Sequence, residues 1–145
     1  MTTSQARLSL VVIFLGSLII QAAAFFSVSQ YMWPEEMQAL ILKLLAVYSV
    51  HLGVIAGGMF AQSRMRPVKP ETPTAVAAIL MAAVWNLLLV GRSISFVISR
   101  QDSVADLIRY LGAVADYGSF LVVAALAFFF SKNAKEPGEV APVSQ

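Results

Sequence analysis

Three ionisable residues, Lys43, Arg92 and Asp116, stand inside stretches that are otherwise apolar. Charge within such a stretch is costly and usually faces protein or water. A lysine, an arginine and an aspartate brought to one level would form an ion-paired clamp. With two cations to one anion, they would also suit a carboxylate or phosphate headgroup. His51 is the sequence's one histidine. Buried in a membrane helix, it has the chemistry to relay a proton, bind a quinone, or ligate haem across a homodimer. Gln21, Tyr48, Asn86 and Ser93 are neutral polar residues within the same stretches. Such side chains make interhelical hydrogen bonds worth about 0.6 kcal/mol on average. As packing contacts they need no catalytic role, and a hydrogen-bonded structural His51 is the plainer reading beside the cofactor one.

Other chemistry finds little support. Cysteine is absent, so disulfides, thiolate metal sites and cysteine nucleophiles are excluded. One histidine per chain cannot form a multi-histidine metal centre, and neither Glu-x-x-His nor His-Glu-x-x-His occurs. No serine and histidine are spaced as nucleophile and base, and no span carries an arginine ladder. Lysine and arginine form no run of the kind that binds nucleic acid. No catalytic residue and no metal ligand is assigned, and an enzyme is the less favoured class.

The elements that must position these residues follow from composition. The 145 residues are 59% hydrophobic and only 12% charged, against roughly 25% charged in soluble domains; mean hydropathy is +0.77. Four apolar stretches, about 8–28, 37–60, 74–98 and 111–130, are each long enough to cross ~30 Å of hydrocarbon. Backbone groups in lipid must pair internally, so the stretches are helices, and period-two alternation is missing. The expected fold is all-α, an integral membrane bundle of four transmembrane helices over residues 1–130. The tail 131–145 is polar and proline-containing and is expected to be disordered.

Helix starts are marked. Pro34 precedes Glu35 and Glu36, as at a helix first turn; Thr72-Pro73 repeats the pattern with Thr72 as N-cap. Ser103 and Asp106 are spaced as a capping box, which would start the fourth helix well before its apolar core. Arg7, Arg64, Arg66, Lys69, Lys132 and Lys135 lie on one side, Arg100 and Arg109 on the other. By the positive-inside rule both termini are cytoplasmic, in a bacterial inner membrane, with Tyr31 and Trp33 at the outer interface. Arg7, the apolar run to Ile20 and Gln21-Ala22-Ala23-Ala24 resemble a secretory signal. The run resumes at Phe25, however, so a retained first span is expected.

Helical rise places Lys43 and Arg92 ~9 Å, and Asp116 ~8 Å, inside the outer boundary. Two readings stay open: Asp116 pairs with Arg92 or Lys43 in one outer cluster, or the cations snorkel and Arg109 neutralises Asp116 along its own helix. Asn86 and Ser93, seven apart, would line a polar seam with His51. Gly53 and Gly57 form a GxxxG pair for helix packing. The two halves show no inverted repeat. Three functions compete: a non-catalytic accessory or assembly subunit of a larger membrane complex; a homo-oligomeric channel or small transporter using Lys43, Arg92 and Asp116; and a quinone- or lipid-handling enzyme using His51. The expected partners are the lipid bilayer and either other membrane subunits or further copies of the chain, with no nucleic acid. The first function leads, because the loops are too short to form a sensor or catalytic domain. No cofactor is expected beyond the possibility at His51.

Overall fold

A computed structural model describes residues 3–62, 72–99 and 102–132. Four long helices carry the chain: α1 (Thr3–Ser27), α2 (Pro34–Gln62), α3 (Thr72–Ser99) and α4 (Val104–Lys132), with a single 3₁₀ turn at Ser29–Tyr31. All four are long and apolar enough to cross a membrane. The expected all-α bundle of four membrane-spanning helices is the fold observed. Arg64, Arg66, Lys69, Arg100, the tail 133–145 and the side chain of Thr72 lie outside the described residues.

α2 and α4 begin before their apolar stretches, because caps rather than hydropathy set their starts. Glu36 accepts a hydrogen bond from the Trp33 backbone N–H at 3.0 Å, the third-residue half of a capping box. At the start of α4 the Ser103 hydroxyl accepts from the Asp106 N–H at 3.1 Å and donates to the Asp106 carboxylate at 2.7 Å. The shorter aspartate thus binds the hydroxyl where a glutamate would reach the cap N–H.

The helices occupy the corners of a square. α1 packs against α2 and α3, and α4 packs against the same two, so α2 and α3 stand on one diagonal. Gln21 meets Ser93 and Phe14 meets Trp85, so α1 and α3 run parallel. Gly58 faces Phe130 and Gly112 faces Lys43, so α2 and α4 also run parallel. The start of α1 and the end of α4 therefore share one end of the bundle, called proximal below.

The buried face of α3 runs Ala75, Ala78, Ala82, Trp85, Leu89, Ser93 and Phe96, the three-four spacing of a helix seam. The outer surface is largely apolar as well. Phe60, Leu87, Ile98, Tyr117 and Phe120 are all more than 70% exposed. A water-facing surface would not carry so many large apolar side chains, whereas lipid solvates them.

Candidate functional site

The centre of the bundle holds a directed chain of hydrogen bonds. The Ser93 hydroxyl lies 2.8 Å from Gln21 Oε1, and the Gln21 amide donates to Tyr48 Oη at 2.6 Å. Tyr48 in turn donates to Asn86 Oδ1 at 2.9 Å, and Asn86 Nδ2 donates to the Ala82 carbonyl at 2.8 Å. The chain leaves α3 at Ser93, passes through α1 and α2, and returns to α3 two turns earlier. That return is why Asn86 and Ser93 are seven residues apart. Gln21, Tyr48 and Ser93 are fully buried and Asn86 is nearly so. Ser93 also lies 2.9 Å from the Leu89 carbonyl, so its one proton is shared between two acceptors. The geometry ties three helices together across the α2–α3 diagonal and uses up the polar groups that do so.

His51 stands apart from this chain. Its Nδ1 lies 3.1 Å from the Val47 carbonyl, which can only accept, so Nδ1 carries the proton and Nε2 presents a lone pair. Nε2 is buried with no hydrogen-bond partner among the described residues, as is Trp85 Nε1. The imidazole is stacked on Phe14 at 5.2 Å between ring centroids, and Trp85 lies over it at 4.3 Å. The tautomer suits ligation, but the imidazole is fully buried, with both aromatic rings packed against it. A haem or quinone at Nε2 would have to open the packing that buries it. Neither aromatic residue stood out from its neighbours in the sequence, since an apolar ring in a membrane helix carries no positional signal.

The three charged residues part company. Arg92 pairs with Asp102, Nη1 to Oδ2 2.8 Å, and its guanidinium lies 5.5 Å from the centre of the Tyr110 ring. Asp102 lies outside the apolar stretches, and nothing in its position along the sequence marks it as the partner of Arg92. Arg109 pairs with Asp106 at 3.3 Å rather than with Asp116. The Lys43 ammonium lies against Gly112, where an added Cβ would stand 3.1 Å from Nζ. Asp116 follows Gly112 by one helical turn and is exposed, near the middle of α4. Among the described residues, neither Lys43 nor Asp116 has an opposite charge within 4.0 Å.

The glycines divide in the same way. A Cβ at Gly53 or Gly57 would meet open space, and both residues are exposed. The close approach of α2 to α4 is at their neighbour Gly58, where a Cβ would lie 2.5 Å from the Phe130 ring. A cavity of about 250 Å³ opens at the distal end, with Met32, Phe96 and Val104 on its walls. Its two carboxylates, Glu36 and Asp102, are engaged by the Trp33 N–H and by Arg92.

These features define the class: a four-span membrane bundle with a hydrogen-bonded chain through its interior and, among the described residues, two unpaired charges on its α2–α4 flank. No protein-family model, curated protein or solved structure matches the chain. Its functional reading therefore rests on its own geometry.

Proposed function

We propose that the protein is a non-catalytic assembly subunit, completed by another membrane chain docked on the flank formed by α2 and α4. One observation carries this reading: Asp116 is exposed near the middle of a membrane-spanning helix, without an ion-pair partner among the described residues. A carboxylate facing lipid is expensive, and such residues ordinarily meet a partner or water. The interior argues in the same direction. Gln21, Tyr48, Asn86 and Ser93 spend their hydrogen bonds on one another, which supports a scaffold rather than a substrate path.

The test is the mass of the protein extracted in a mild detergent from its own membrane. The wild-type chain is expected in a complex larger than its 15.6 kDa, and Asp116→Asn is expected to release it as a folded monomer. A wild-type protein that runs as a single chain with nothing bound overturns the reading.

A further inference from the structure

We infer that the chain docked on this flank is a second copy, held by two reciprocal pairs in which Lys43 of each copy meets Asp116 of the other. The inference rests on the reading of the flank as an assembly surface and adds the identity of its occupant.

Charge is the first argument. At mid-span the flank displays one cation and one anion, and among the described residues both lack an ion-pair partner, whereas Arg109, two turns distal of Asp116, is paired with Asp106. A surface with one of each is self-complementary. A two-fold axis places residue i against j and j against i, so one rotation satisfies both groups twice.

Height is the second argument. Two copies inserted in the same orientation can be related only by an axis along the bundle, which preserves level. Lys43 and Asp116 must then lie at one depth for the pairs to form. They lie within one turn of it: the Lys43 ammonium lies against Gly112, and Asp116 is the next turn of the same helix. That remaining turn, about 5.4 Å, is within the reach of a flexible lysine stem.

Shape is the third argument. Along α2 the residues Lys43, Ala46, Val50, Gly53 and Gly57 follow three-four spacing, and all are exposed except the half-buried Lys43. On α4, Asp116, Phe120 and Ala127 stand on one face at helical spacing and are exposed. Such spacing lets two helices lie side by side over several turns, and the small residues let their backbones approach. Gly53 and Gly57, which have nothing to pack against among the described residues, would then face the second copy.

The experiment uses two charge reversals, K43D and D116K, each on a differently tagged full-length chain. Alone, each variant sets like charges across the axis and is expected to dimerise about tenfold or more weakly than wild type. Mixed, they restore both pairs between chains, since the first copy brings two anions and the second two cations. Capture of one tag is then expected to recover the other at the wild-type level. The neutral variants K43Q and D116N, which insert with less penalty, are expected to weaken the dimer alone and, when mixed, to recover one of the two pairs, so that capture falls between the single variants and wild type. Four results overturn the inference. If the double reversal K43D/D116K dimerises but the mixture of single reversals does not, the pair lies within one chain. If the reversals or the neutral variants leave the wild-type dimer intact, the pairs do not hold it. If wild type is held by a different membrane protein and D116N releases it, the assembly reading stands and the second copy falls. If wild type is a bare monomer, both fall.

Discussion

The bundle's centre and its α2–α4 flank are built from similar residues and treat them in opposite ways. At the centre, Ser93, Gln21, Tyr48 and Asn86 form a chain in which each donor finds an acceptor. On the flank, Lys43 and Asp116 are within a turn of each other's level, and neither is paired among the described residues. Lipid offers no hydrogen bonds, so a polar group is either satisfied inside its own chain or calls for another. The four-residue chain is finished by intrachain contacts, although His51 Nε2 and Trp85 Nε1 beside it are not, and the flank is where we propose that a partner docks. It follows that interior substitutions should lower stability without changing association, and flank substitutions should do the reverse.

The strongest way to break this contrast is at Tyr48, which joins two hydrogen bonds and packs edge-on against Phe14 and Trp85. Tyr48→Ala removes a buried ring and is expected to cost about 3–5 kcal/mol. Tyr48→Phe keeps the ring and strands Asn86 Oδ1, for about 1–3 kcal/mol. Unfolding in a graded detergent mixture measures both. A Phe variant as stable as wild type would mean that the central chain is incidental to the fold.

A pair of glycines sharpens the same distinction at smaller amplitude. Gly58→Ala drives a methyl group into the Phe130 ring, which is almost wholly buried, and is expected to cost about 1–3 kcal/mol. Gly53→Ala meets nothing in the chain and is expected to change bundle stability by less than about 0.5 kcal/mol. Thermal melting of the two variants side by side separates the packing seam from the open face.

Much of this architecture was legible in the residues, and what was not has a physical cause. Length and apolarity specify the four helices, because lipid leaves the backbone few alternatives. Ser103 and Asp106 announced the start of α4 at the correct residue, since a cap is a local interaction between near neighbours. The five polar side chains were recognisable as interior, but not who bonds with whom. His51 was expected in one seam with Asn86 and Ser93, whereas the position beside Asn86 belongs to Tyr48, which reaches across the diagonal. That diagonal follows from which helices pack as neighbours, and no spacing within one helix encodes it. Gly53 and Gly57 match a packing motif, but the seam runs along Gly58 because the face of α2 that meets α4 is set by tertiary rotation. Apolar residues surround α2 on every side, so composition gives no hint of which way it turns.

The Arg92–Asp102 pair marks the boundary between the two regimes and gives the smallest expected effect. It is a charged pair satisfied within the chain, like the interior, yet its side chains are 27% and 34% exposed at the distal end. A partly exposed pair with water within reach contributes about 0–1 kcal/mol. Asp102→Asn is therefore expected to lower stability by no more than that. Arg92 keeps its place over the Tyr110 ring, and part of its stem remains buried. The loss should shrink further as salt is raised, because exposed charges are screened over about 8–10 Å at ordinary ionic strength. Unfolding of the variant at low and high salt checks both points. A salt-independent loss of several kcal/mol would move Arg92 into the regime of buried pairs, where removing one partner strands the other. Lys43 and Asp116 lie deeper along their helices than the distal turn that holds Asp102, so their own pairing across two chains should be the less salt-sensitive of the two.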